Sequence, residues 1–236
     1  MIPVSDSPHS RTFPFVNIAL ILANIAVFIY ELTLSDHQLN DFFRDYGVVP
    51  KELSHWAGHP SGLSEPETVF TSAFIHGGWL HIIGNMLFLW VFGDNVEDSL
   101  GHLKYLLFYA VATVAAVSLQ VALMSGDMTP TVGASGAISG VLGAYLVLYP
   151  KAMVTVLLWF FLVPVPAVLL IGIWFVLQLF TGIASMGTAT GASEGVAVWA
   201  HVGGFVAGFL IVLITRPLLR RRGPAPVGRF GRRSVW

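Results

Sequence analysis

The chain has 236 residues, of which 55% are hydrophobic and only 11% charged, with a mean hydropathy of +0.75. Soluble domains carry about 25% charged residues, so this deficit excludes a water-soluble globular protein and leaves the polytopic membrane class. A net charge of −1 provides no nucleic-acid footprint, and the absence of Cys excludes disulfides, thiol nucleophiles and thiolate metal sites.

A membrane-spanning helix needs about 20 apolar residues. Runs of this kind predict six helices, at 15–33, 80–92, 102–124, 135–149, 166–183 and 196–215. The expected fold is therefore an all-α polytopic bundle of six transmembrane helices. A cytoplasmic tail over 1–14 precedes the helical domain, 15–215, and a basic cytoplasmic tail over 216–236 follows it. Between the first two helices, 34–73 mixes Phe42, Phe43, Tyr46, Leu53 and Trp56 with charges, as suits a long first loop at the membrane interface. The second and fourth helices are short and open at glycine pairs, Gly77 with Gly78 and Gly133 with Gly136, which suggests helices bordering a cavity. Apolar 154–165 is broken by Pro164 and Pro166 and reads as an interfacial connection. The Gly-, Ser- and Thr-rich stretch 184–195 suits a loop that caps a cavity.

Orientation follows from the basic residues, which favour the cytoplasmic side. With six spans, Arg11, Lys104, Lys151, Arg216, Arg220, Arg221, Arg222, Arg229, Arg232 and Arg233 fall on one side and only Arg44 and Lys51 on the other. Both termini are thus expected in the cytoplasm, in a plasma or inner membrane.

Ionisable groups inside spans cost about 2.5–3.5 kcal/mol on insertion scales, so each marks a functional candidate. His81 and Asn85 stand at i and i+4 on one face of the second helix, Ser135 opens the fourth within Gly133-Ala134-Ser135-Gly136, and His201 lies early in the sixth. These three helices run in the same direction, which sets all four residues at one depth toward the outer face. Gly136, Gly140 and Gly143 form a small-residue face on the fourth helix, and Ala200, Gly204 and Gly208 form one on the sixth. Close packing of the two faces draws His201 toward Ser135. A serine hydroxyl becomes a useful nucleophile when an imidazole can take its proton, and Asn85, His81 and the Ser135 N–H are suitable oxyanion donors. No Lys lies in a span for a Ser-Lys dyad, no His-Glu-x-x-His is present, and Asp94 has no intramembrane Asp partner. Simpler roles stay open: Ser135 as an N-cap, His201 as an interhelical donor, and His76 as a tie between loop and helix. Neither a metal nor an organic cofactor is implied. A transporter with a polar solute path and a noncatalytic binder of transmembrane helices are the rival readings.

Three blocks in this order, His76-x4-His81-x3-Asn85, Gly133-Ala134-Ser135-Gly136 and Ala200-His201-x-Gly203-Gly204, resemble the rhomboid family of intramembrane serine proteases over 15–215. The resemblance implies a six-helix rhomboid bundle in the lipid bilayer that cleaves transmembrane protein substrates. It assigns Ser135 as nucleophile, His201 as base without a third acidic member, and His81 with Asn85 to the oxyanion site. Glu97 resembles a family acidic residue with a structural hydrogen-bonding role. Two departures stand out. Glu67-Thr68-Val69-Phe70 replaces a first-loop Trp-Arg, and Ser139 stands where some members carry an aromatic that stacks on the base, so His201 must be oriented by something else. The resemblance also points to the fifth helix, beside the second, as a lateral gate. Trp174 and Phe175 on it either latch the two helices or face lipid.

Overall fold

The computed structural model describes residues 2–56, 65–186 and 197–218. Most of 184–195, expected as a cap, and the basic tail from 219 onward lie outside the described residues. The chain is mostly helical. Helices α1 (Phe15–Glu31), α2 (Asp36–Tyr46), α3 (Pro50–Trp56) and α4 (Glu65–Thr71) lead through a single 3-10 turn, Ser72–Phe74, into α5 (Trp79–Leu100). Then come α6 (His102–Leu123), α7 (Ser135–Leu148), α8 (Ala167–Met186) and α9 (Val198–Thr215).

Three of these helices are long and apolar enough to cross a membrane: His102–Leu123, Ala167–Ala184 and Val198–Thr215. A fourth crossing results if Pro66–Phe74 and Trp79–Leu100, bent by 90°, act together. The apolar α1 and α7 have 17 and 14 residues. At 1.5 Å per residue α7 is only about 21 Å long. Six apolar helices coincide with the six predicted runs, but length and composition qualify three or four as spans.

The described parts of the long first loop are largely helical. Ser35 opens α2 with a capping box, its hydroxyl accepting from the Gln38 backbone while the Gln38 side chain bonds back to the Ser35 N–H. Gly78 makes the sharp entry into α5 at φ +149°, a conformation open essentially to glycine alone.

An all-α expectation misses a three-stranded antiparallel sheet of β1 (Ile2–Asp6), β2 (Met153–Leu158) and β3 (Phe161–Pro166), in the order β1-β2-β3. Residues 2–6, expected in a tail, supply one edge. The connection expected to be broken by Pro164 and Pro166 is a hairpin. Both prolines sit on the other edge strand, opposite Thr155 and Met153, and an edge strand can spare the N–H groups that proline lacks. In the central strand, Val154 and Val156 point into the core while Met153, Thr155 and Leu157 are half-exposed, the period-2 alternation of a sheet with one buried face.

Glycine contacts hold the centre of the bundle together. A methyl group on Gly204 would lie 1.9 Å from the Gly136 carbonyl oxygen, and one on Gly208 would lie 2.0 Å from that of Gly140. On the other side of α7, methyl groups on Gly136 and Gly140 would meet Ala116 at 2.7 Å and Ala112 at 2.6 Å on α6. The backbones of α7 and α9 therefore touch with α6 alongside, a geometry that small side chains permit and a Cβ prevents.

Candidate active site

Ser135 is the first residue of α7 and His201 lies in the first turn of α9. The glycine-mediated approach of these helices brings Ser135 Oγ to 2.7 Å from His201 Nε2. His201 is 7% exposed, so the imidazole is packed on nearly every side. The α9 entry is anchored by Gln120 of α6, whose Oε1 accepts a 3.1 Å bond from the Ala200 N–H.

His81 approaches from α5. Gly133 adopts φ +123°, and a methyl group there would lie 2.7 Å from His81 Nε2 and 3.6 Å from Ser135 Oγ. Glycine is thus required both by the backbone conformation and by the ring lying over it. The Gly77 N–H donates to His81 Nδ1 at 3.3 Å. Because Nδ1 accepts, the proton of the neutral ring resides on Nε2, the nitrogen beside Gly133 and Ser135. Asn85, one turn further along α5, is 8% exposed, and its amide nitrogen is buried with no hydrogen-bond acceptor. A buried N–H left unsatisfied costs about 1–3 kcal/mol, which makes Asn85 a donor awaiting a partner.

His76 is almost fully buried and stacks edge-on against His81 at 5.0 Å, with no hydrogen-bond partner at either ring nitrogen. Its backbone N–H ties the loop to α1 through Glu31 Oε1 at 3.1 Å. Ser139 turns back along its own helix and donates to the Ser135 carbonyl at 2.6 Å, so it leaves His201 untouched.

The side of His201 away from Ser135 is occupied by α8. The Gln178 amide meets His201 Nδ1 at 2.7 Å, and the Trp174 ring lies 5.8 Å from the imidazole at an angle of 40°. Phe175 stacks on Phe205 of α9 at 4.2 Å, and Trp174 lies 6.4 Å from the same ring. The ring contacts of Trp174 and Phe175 are therefore with α9, and both side chains remain half-exposed. Sequence reasoning passed over Gln178. Its one available signal was that it is a polar side chain in the middle of the apolar run 166–183.

Glu97 belongs to a different constellation. Fully buried, its carboxylate accepts the N–H groups of Val16 at 3.0 Å and Asn17 at 2.7 Å, filling the open N-terminus of α1, and it also pairs with His102 Nδ1. Asn17 in turn bonds the Leu89 carbonyl and accepts from the Tyr105 hydroxyl.

The fold and site define an integral membrane protein, mostly helical, with a buried Ser–His contact among closely packed glycine faces. The family model described as the Rhomboid domain matches residues 64–218, and the chain belongs to the rhomboid family. It is 27% identical to RHOMBOID-like protein 1 of Arabidopsis thaliana over 89% of this chain and 56% of that protein. It is 31% identical to the mitochondrial Rhomboid protein 1 of Saccharomyces cerevisiae over 61% of this chain and 40% of the relative. To RHOMBOID-like protein 4 of Arabidopsis thaliana it is 29% identical over 64% and 36% of the respective chains. The matches thus cover about half or less of the relatives' own length.

Proposed function

We propose that this protein is an intramembrane serine endopeptidase that hydrolyses peptide bonds in or near transmembrane segments of membrane-protein substrates. The observation that carries the reading is the 2.7 Å contact of Ser135 Oγ with His201 Nε2. In the reaction, Ser135 Oγ attacks the scissile carbonyl carbon as its proton passes to His201 Nε2. The carbonyl oxygen gains negative charge and accepts hydrogen bonds from Asn85 Nδ2, His81 Nε2–H and the Ser135 N–H. That N–H is in the first turn of α7, where backbone donors lack helical acceptors. His201 returns the proton to the leaving amine, giving an acyl-enzyme. It then deprotonates the water that releases the second product.

The same reading places six spans in the bilayer, with the protease domain over 15–215 and both termini cytoplasmic, so that the site lies toward the outer face of a plasma or inner membrane. A reporter fused after Trp236 tests the orientation: it reads out in the cytoplasm if the arrangement is right and outside if it is inverted. The chemistry is tested by incubating the purified protein with a model transmembrane substrate and with a fluorophosphonate probe. Cleavage, together with labelling lost in Ser135→Ala, supports the proposal. A folded wild-type protein that binds the substrate without cleaving it supports the noncatalytic binder instead.

A further inference from the structure

The His201 ring has two nitrogens, and the hydrogen bond at one decides what the other can do. If Nε2 is to receive the Ser135 proton, it must present a lone pair, so the ring proton must sit on Nδ1. Nδ1–H then needs an acceptor in a buried, apolar setting where an unmatched donor is costly. The group at that position is the Gln178 amide, 2.7 Å away, with its nitrogen facing the ring. With the amide nitrogen donating to Nδ1, the ring proton is displaced to Nε2, where it points at Ser135 Oγ and leaves no base. A half-turn about the last side-chain bond exchanges the two amide ends and presents Oε1 in the same place. Nδ1–H then donates to Oε1, and Nε2 is free to accept.

We propose that Gln178 is the positioning residue for His201, selecting through its amide oxygen the imidazole tautomer that can act as a base, with Trp174 setting the tilt of the ring. This rests on the reading of Ser135 and His201 as nucleophile and base. A carboxylate is the familiar partner for such an Nδ1–H. At this depth, however, a carboxylate brings the insertion penalty of a buried charge, whereas a neutral amide oxygen orients the ring without one.

The placement of Gln178 also ties the base to a particular helix. An 18-residue window of α8 is 17% buried, against 50% for α9, so α8 is loosely held by the rest of the bundle. The bond from Gln178 and the rings of Trp174 and Phe175 all run to α9. Displacement of α8 from α9 therefore removes the Nδ1 acceptor, and the site is competent only while this face of α8 is seated.

The test compares Gln178→Leu, Gln178→Met and Gln178→Glu in the purified full-length protein with a transmembrane substrate. Leu and Met remove the acceptor while keeping an apolar side chain. Both should lower kcat by about 10- to 100-fold, by analogy with the loss when a metal-bound imidazole is deprived of its hydrogen-bond partner, with KM changed less than about twofold. Glu restores an acceptor of the same reach and should recover most of kcat. A second measurement reads the tautomer directly and does not depend on turnover. In wild-type protein labelled with 15N-histidine, the His201 resonances, assigned by difference against His201→Ala, should show the ring proton on Nδ1. In Gln178→Leu they should show a shift of population toward Nε2–H. A wild-type proton resident on Nε2, or Gln178→Leu and Gln178→Met enzymes with unchanged kcat, overturns the proposal. Failure of the underlying reading has a separate signature: either the folded wild-type protein does not cleave at all, or Ser135→Ala cleaves normally, whatever stands at 178.

Discussion

The two ends of α7 use polar side chains in opposite ways. At its start, Ser135 meets His201 with His81 close by, and α5 holds hydrogen-bonding capacity in reserve: the Asn85 nitrogen has no acceptor, and the His76 ring, packed against His81, has no partner at either nitrogen. At the other end, about 15 Å away along the helix axis, Tyr145 donates to Asp6, and Asn95 Nδ2 donates to the same Asp6 oxygen at 3.0 Å. Nearby, Asp98 takes the backbone and hydroxyl of Thr12, while Glu97, Asn17 and Tyr105 satisfy one another. Apart from the Asn95 oxygen, this second group is largely closed on itself. Buried polar groups that consume each other's capacity hold elements together, whereas buried donors left open are suited to a charge that appears only during a reaction.

If this contrast is right, substitutions at the open end should remove activity and spare the fold, and those at the closed end should do the reverse. The largest effect is expected for Ser135→Ala and His201→Ala. Each should lower kcat by about 1000-fold or more, because nucleophile and base act as one unit, with the thermal transition in detergent little changed. Near-normal turnover of either variant breaks the contrast. Next is Asn85→Ala, expected to lower kcat by about 10- to 1000-fold with KM nearly constant, as befits a donor used in the transition state. A raised KM at constant kcat reassigns Asn85 to substrate binding.

At the closed end, Glu97→Ala should reduce stability by about 3 kcal/mol, since it strips the cap from α1 and leaves buried donors unmatched. Activity per folded molecule should be preserved, and denaturant titration with active-site labelling separates the two quantities. The smallest effect concerns pH. Burial, with a smaller contribution from the Asp94 charge, raises the Asp6 carboxyl from 3.8 to about 7, although the Tyr145 hydroxyl opposes the shift. Since the folded-state value exceeds the unfolded one, the native state holds this proton more tightly. Its contribution to stability is complete below about pH 3.8 and is lost as pH rises through about 7. Protection of the β1 amides, corrected for the intrinsic pH dependence of exchange, should therefore fall between about pH 4 and 7, and Asp6→Asn, which keeps an acceptor for Tyr145 but has no charge, should flatten that dependence. An unchanged slope in the variant removes Asp6 as its source.

The sequence by itself determined what repeats along one chain segment or depends on residue type alone. The six apolar runs coincide with α1 and α5 to α9 because helix-forming apolar stretches are legible at short range. Gly136, Gly140, Gly204 and Gly208 could be read as close-packing faces because their spacing follows the helical period. Ser135, His201, His81 and Asn85 stood out because polar groups are rare in such runs. What pairs residues far apart was decided only by tertiary structure. Ile2 lies opposite Leu157, and nothing in either segment announces the other, so β1 read as a tail and Pro164 and Pro166 read as breaks. Glutamine carries no charge and has no fixed chemistry, and Gln178 drew notice only when α8 set its amide against His201 Nδ1. Trp174 and Phe175 turned toward α9 for the same reason: helical periodicity reveals that a face exists, and packing against a particular neighbour decides what that face meets.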